Sequence, residues 1–353
     1  MIKINNIKTF VELGHFLSQF DKNGNKKKED VLFNDEFYDA FIELIYGAQS
    51  LNGWFTPEQV YFAIQSWAEA LTETNLNTWV NAYADTENKP SKTIGLILAG
   101  NIPLVGFHDF LSVLITGNKA LVKLSSNDQN LLPFLASYLI KINPDLTNQI
   151  TFVKGKLEGF DAVIATGSNN TSRYFDFYFS NVPNIIRKNR NSVAILTGNE
   201  SLEQLTALGQ DIFTYFGLGC RNVSKLFVPE NYDFKLFFEA MYAYKDVIYY
   251  EKYANNYDYN KAVYLMSLFS ILDNEFMTLK EDAGYASPIS SVFYERYTDL
   301  EAVLNKIETD NQQIQCVVSN SIKKGHVAFG ETQHPKLWDY ADNVDTIQFL
   351  LKL

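Results

Sequence analysis

The segment Gly217–Leu218–Gly219–Cys220–Arg221 sets a thiol after a flexible turn and next to a cation. Glycines on both sides of Leu218 allow unusual backbone angles and close approach of a substrate. A neighbouring cation favours the thiolate, which is the nucleophilic form of cysteine. Asn101, in AGNIP, puts a side-chain amide where an apolar run gives way to a helical pattern; such an N–H can stabilise a developing oxyanion. Gly167 and Ser168, in ATGS, end another apolar run ahead of a helix, where backbone amides can face a pyrophosphate. Lys123 closes a third run and is followed by Leu124, Ser125 and Ser126, a position from which a lysine can hold a ribose or phosphate. Each residue also has a plainer reading: a small core thiol, a helix cap, an ordinary turn, a solvated lysine.

The other cysteine, Cys316, lies in the apolar run QCVVS and reads as core. The four histidines stand far apart in the chain, so no metal site is expected. There is no GxGxxG, the usual dinucleotide fingerprint.

These residues need a scaffold. Apolar runs at 93–98, 120–123 and 161–165 alternate with helical stretches at 104–115 and 131–142, the pattern of a parallel sheet with crossover helices. The alternation resumes with VAIL after Ser192, a helix over 202–216, and strands at 226–228, 291–294 and 316–318. Before residue 90 the spacing is helical, with Phe37, Phe41, Leu44, Ile45 and Ala48 on one face. Thr56, Pro57 and Gln59 read as a capped helix start. The polar stretch 87–92 reads as a connection, and TIQFLL near the end reads as a strand. The expected class is α/β: two α/β domains with largely parallel sheets and a helical N-terminal region. The expected divisions are 1–90 helical, 91–191 cofactor-binding, 192–328 catalytic, and 329–353 a segment carrying a possible oligomerisation strand.

Composition narrows the partners. A net charge of −11 offers little to a phosphate backbone, so nucleic acid is not expected. Two cysteines in 353 residues argue against a disulfide-stapled secreted domain. No run reaches membrane-spanning length, and MIKINNIKTF lacks a signal-peptide core, so the expected location is cytoplasmic.

In order and spacing, AGNIPL, ALVKLSS, ATGS and GLGC resemble the aldehyde dehydrogenase superfamily. Within it the chain is most similar to the acyl-CoA reductases related to the fatty acyl-CoA reductase of bacterial luminescence, whose C-terminal signature LWDYADNVDTIQFL resembles. The resemblance covers roughly Thr93 to Leu353. It implies an aldehyde dehydrogenase-like fold with Cys220 as nucleophile and Asn101, with the Cys220 N–H, as oxyanion donor. It further implies Lys123 against the adenosine ribose, and Gly167 and Ser168 at the helix facing the cofactor phosphates. Where hydrolytic members carry a general-base Glu, this chain has Arg187–Lys188–Asn189–Arg190–Asn191, without a carboxylate. That departure implies thioester exchange with CoA rather than hydrolysis, and the basic residues there could also hold phosphates. Ser126 stands where the Glu that often follows the strand-end lysine and binds the ribose 2′-hydroxyl is replaced, which removes repulsion of a 2′-phosphate and favours NADPH, with NADH possible; Ser125 beside it joins the expected cofactor contacts. The expected activity is reduction of an acyl-CoA to an aldehyde, by a chain that forms a homo-oligomer as superfamily members do. The alternatives are a reductase of an acyl-carrier-protein thioester or acyl phosphate, and a non-catalytic binding protein on the same fold. The aromatic stretches 175–179 and 247–253 could line an acyl tunnel.

Overall fold

A computed structural model describes residues 4–83, 90–322 and 326–353. Residues 87–89 of the expected connection lie outside them. The chain forms two compact units, residues 1–188 with 336–353, and residues 189–335. Among the described residues no helix is long and apolar enough to cross a membrane.

The first unit opens with four helices: α1 (Ile4–Leu17), α2 (Asn34–Leu51), α3 (Pro57–Ala70) and α4 (Glu73–Asn81). Phe37, Phe41, Ile45 and Ala48 are buried along α2, as their spacing predicts, and Leu44 is half-buried against the same core. Pro57 occupies the first turn of α3, where its missing N–H is no loss, but the Thr56 side chain makes no capping hydrogen bond. There follow β1 (Thr93–Ile97), α5 (Phe107–Ile115), β2 (Lys119–Lys123), α6 (Leu131–Ile142), β3 (Ile150–Phe152), β4 (Ala162–Thr166), α7 (Asn169–Tyr178) and β5 (Asn184–Arg187). All five strands are parallel, in the order β3-β2-β1-β4-β5. One face of the sheet packs with the N-terminal helices into a single core that contains Phe10, Phe41, Ile94, Leu96 and Leu135. A smaller cluster around Val163 and Ala165 lies against Phe175 of α7 and Phe179 just after it. Of the stretch 175–179, Phe175 and Phe179 therefore supply packing on this face, while Phe177 and Tyr178 are exposed.

The second unit contains β6 (Asn191–Ile195), α8 (Leu202–Phe213), β7 (Val223–Pro229), α9 (Lys235–Met241), α10 (Glu251–Met266), β8 (Ile271–Asp273), β9 (Thr278–Glu281), β10 (Ser291–Tyr297), α11 (Leu300–Thr309) and β11 (Ile314–Val318). Its sheet runs β11-β6-β7-β10-β9-β8, parallel throughout except for β8 at the edge. The helix expected over 202–216 stops at Phe213, because Tyr215 and Phe216 take left-handed backbone angles (φ 54° and 57°). Cys316 is buried in β11.

The end of the chain corrects an expectation. TIQFLL lies in α12 (Thr346–Lys352), not a strand. Asp345 caps it, accepting from the Gln348 amide at 2.8 Å, and Ile347 and Leu350, three apart, face the core of the first unit. The segment expected at 329–353 is also divided, with 329–335 in the second unit and 336–353 in the first.

Arg187 corrects another. Arg187 is 5% exposed, and its guanidinium holds Asp109 through two nitrogens, at 2.7 and 3.2 Å. It also donates to the Ala341 carbonyl at 2.7 Å and the Thr346 hydroxyl at 3.0 Å. It therefore fastens β5, α5 and the returning segment together and is not presented to a phosphate. Arg190 is likewise committed, to the carbonyls of Asn311 and Ile314, and Lys188 pairs with Asp176. Asp109→Ala strands a buried guanidinium, and urea denaturation should show a loss of about 3–5 kcal/mol. A loss below about 1 kcal/mol, the surface-pair level, would remove the pair from this role.

Candidate active site

The strand order β3-β2-β1-β4-β5 reverses direction between β1 and β4. In open parallel sheets, ligands bind outside the carboxyl ends of the strands at such a reversal. Asn101 follows β1, Ser125 and Ser126 follow β2, and Gly167 and Ser168 follow β4. Lys123 is the last residue of β2. The first unit thus gathers six of the seven expected site residues at one sheet edge. Asn101, Ser126 and Ser168 are exposed there, while Lys123, Ser125 and Gly167 are half-buried.

Local packing shapes this edge. A Cβ on Gly100 would come within 2.7 Å of the Ser125 Cβ, so the loops after β1 and β2 touch only because residue 100 has no side chain. Gly167 meets α7 in the same way: an added Cβ would lie 2.9 Å from the Phe175 ring and 3.1 Å from Thr171. Ser168 caps α7, its Oγ accepting from the Thr171 amide at 3.2 Å. The Ser168 hydroxyl thus caps the helix, and the first-turn amides of α7 stand at the edge beside it. A glycine joining strand to helix and a helix N-terminus at the strand reversal suit a pyrophosphate. Among the described residues no cluster fits a metal ion.

Two supporting residues carry no motif. Asp128 is buried, and its Oδ2 accepts from the amide of Leu104, a non-glycine residue at φ 58° three positions after Asn101. Asn52 donates from Nδ2 to the Asn127 carbonyl at 3.3 Å and, more distantly, to that of Gly100.

Cys220 belongs to the second unit and is exposed. It sits in the turn between α8 and β7. Asn222 holds that turn and is 2% exposed. Its Oδ1 accepts from the Gly219 amide at 2.8 Å, and its Nδ2 donates to the carbonyls of Asp211 (3.0 Å) and Thr214 (2.8 Å). The Cys220 carbonyl accepts from the Ser192 hydroxyl at 3.0 Å. Gly217, at φ 77°, completes the bend begun by Tyr215 and Phe216. Two successive non-glycine residues in the left-handed region are costly and persist where the surroundings overdetermine them, often at functional sites. The Arg221 Nε donates to the Thr332 carbonyl. Thr332 in turn donates through its amide and hydroxyl to Asp211. Arg221 is therefore a tether as well as a nearby cation.

A small cavity of about 30 Å³ adjoins this turn, lined among others by Phe216, Gly217, Val223, Tyr253 and Met277. Tyr253 comes from the aromatic stretch 247–253, so that stretch reaches the neighbourhood of the turn and 175–179 does not line the cavity.

The fold is that of aldehyde dehydrogenases. Aldehyde dehydrogenase 21 from Physcomitrella patens, solved with succinate, superposes with a TM-score of 0.62 at 12% identity, over 98% of this chain and 87% of that one. The P. syringae indole-3-acetaldehyde dehydrogenase AldA, in complex with NAD+ and IAA, gives a TM-score of 0.58 at 12% identity, over 89% and 71%. No curated protein is a significant match to the sequence. The model of the acyl-CoA reductase (LuxC) family matches residues 35–243, and the chain belongs to that family of oxidoreductases.

Asp128 gives the site a pH signature. Burial pushes its pKa up to about 6 from an ordinary 3.8, against the pull of the Leu104 and Leu131 amides. The folded state thus holds this proton more tightly than the unfolded chain does. The cost of ionising Asp128 is fully present above about pH 6 and is gone below about pH 4, roughly 3 kcal/mol in all. Urea melts of wild type and Asp128→Asn from pH 4 to 8 should differ by a gap that changes across this window; a constant gap would contradict the assignment.

Proposed function

We propose that this protein reduces an acyl-CoA thioester to the aldehyde through a covalent acyl group on Cys220, with NADPH as the reductant. The observation that carries the reading is the gathering of Asn101, Lys123, Ser125, Ser126, Gly167 and Ser168 at the carboxyl edge of a parallel sheet where the strand order reverses. The exposed cysteine on a braced, glycine-bent turn adds to it. Membership of the acyl-CoA reductase family supports the substrate. The NAD+ bound by the P. syringae enzyme supports a nicotinamide cofactor.

In this mechanism the Cys220 thiolate attacks the acyl carbonyl, and CoA leaves as its thiolate to give the acyl-enzyme. The Asn101 amide and the Cys220 N–H are assigned to the oxyanion. Bound NADPH supplies the hydride that takes the thioester to the aldehyde level. Collapse of the resulting hemithioacetal then expels the aldehyde and restores the thiolate. The stretch 187–191 offers no carboxylate, and Arg187 is locked in its buried pair, so this segment activates no water against the thioester. Lys123 is assigned to the adenosine ribose, and Gly167 with the amides at the start of α7 to the pyrophosphate. Ser168 contributes as the cap that fixes that helix end. A cytoplasmic location accords with the low cysteine usage.

Cys220→Ala should abolish acyl-CoA-dependent NADPH oxidation, and Asn101→Ala should lower kcat by about 10²–10³-fold. Parallel assays with an acyl-carrier-protein thioester and an acyl phosphate identify the preferred donor. Full activity of Cys220→Ala would sink the covalent mechanism, and inactivity of the wild type toward all three donors would favour a binding protein. Ser126→Glu should shift the NADPH/NADH preference toward NADH by about tenfold, the effect of a carboxylate placed near a phosphate. An unchanged ratio would detach Ser126 from cofactor choice.

A further inference from the structure

We propose that Arg221 holds an anionic group on the acyl chain, so that the substrate is a thioester whose acyl part carries a carboxylate a few carbons beyond the reacting carbonyl. This rests on Cys220 as the nucleophile. Arg221 follows Cys220 directly and is half-buried. Its Nε donates to the Thr332 carbonyl at 2.5 Å. Thr332 is fully buried, and its amide and hydroxyl both donate to Asp211. One edge of the guanidinium is thereby fixed. The donors on its two terminal nitrogens have no acceptor among the described residues.

The other arginines are committed or solvated. Arg187 gives its terminal nitrogens to Asp109 and Ala341, Arg190 to the carbonyls of Asn311 and Ile314, and Arg296 to those of Glu230 and Tyr232. Arg173 is exposed. Although acidic side chains outnumber basic ones, 41 to 30, no carboxylate among the described residues pairs with Arg221. Asp211, linked to it through Thr332, accepts instead from the Gly330 amide and from Thr332. A guanidinium clamped at Nε has lost much of its freedom in advance, and its open fork matches a carboxylate through two parallel bonds. Reach selects which anion. Consecutive Cα atoms lie about 3.8 Å apart, so an acyl chain on the Cys220 sulfur starts beside Arg221, and a carboxylate a few carbons along it falls within an arginine's length. The phosphates of CoA sit at the far end of the pantetheine arm and depart with it. The bound carboxylate changes no bond: hydride reduces only the thioester carbon, and the product is an aldehyde that still carries the carboxylate.

Two rate ratios test this on the full chain. Alkylation of Cys220 by iodoacetate and by iodoacetamide, followed by mass spectrometry with buried Cys316 as the reference, reads the anion site without turnover. Both reagents react through the same thiolate, so their ratio is blind to its pKa. The iodoacetate/iodoacetamide ratio should fall about tenfold or more in Arg221→Met and recover in part in Arg221→Lys, which keeps the charge but not the fork. In NADPH oxidation, kcat/KM for succinyl-CoA relative to butyryl-CoA should fall by about 10–100-fold in Arg221→Met, mainly through KM. A wild type that prefers butyryl-CoA, or ratios that Arg221→Met leaves unchanged, overturns the proposal while the reductase reading stands. An Arg221-dependent preference for butyryl phosphate over butyryl-CoA assigns the anion to the leaving group and overturns it too. An alkylation ratio that falls in Arg221→Met, in a protein inactive toward every thioester, sinks the reductase reading while the anion site stands.

Discussion

A single buried guanidinium joins the parts on which the architecture of the first unit depends. Arg187 is the last residue of β5, one residue short of the point where the chain leaves the first unit. Its bonds reach Asp109 on α5 and both Ala341 and Thr346 in the segment that returns. Next to Asp109, His108 is buried, and its Nε2 lies 2.8 Å from the Leu337 carbonyl. Burial keeps its pKa below the usual histidine value, so the neutral ring serves as a donor there. Trp79 and Tyr83 hold Tyr340 and Asp345 by similar polar contacts. An ion pair this dry is not a strong net source of stability, since two charges must be stripped of water to form it. Its value is geometric: few alternative arrangements satisfy so many donors at once.

The candidate cofactor residues were legible because a parallel sheet concentrates function at its carboxyl edge. Short apolar runs marked β1, β2 and β4, and the polar residues just after each run had to fall at that edge. Asn222 and Asp128 were not legible. Asn222 follows GLGC and reads as an ordinary turn residue; its role comes from carbonyls at 211 and 214 brought round by a left-handed bend that no local pattern announces. Asp128 reads as a surface aspartate in SSNDQN, yet the Leu104 loop covers it. The buried function of Arg187 was hidden for the same reason: basic residues in a row suggest solvent or phosphate, and only the returning segment supplies its acceptors.

The last helix shows how an apolar run misleads. TIQFLL has the hydrophobicity of an edge strand, but Asp345 three residues before Gln348 is a cap, and Ile347 and Leu350 have helical spacing. Cap and spacing together outweigh the run. By contrast, the exposed apolar end of α10 carries almost no helical pattern, because apolar residues lie on several sides of it.

The division of the chain bears on its order of assembly during synthesis. Residues 189–335 are contiguous and can close their core as soon as they emerge from the ribosome. The first unit is interrupted: its sheet is complete by Arg187, yet Leu337, Ile347 and Leu350 of its core come almost 150 residues later, about ten seconds or more at ordinary elongation rates. Until then Asp109 and Arg187 have each other but lack the acceptors at Ala341 and Thr346. The nascent first unit therefore passes through a stage with part of its apolar core uncovered while the second unit is being made. The final helix acts as the closing piece of a domain begun at the other end of the chain.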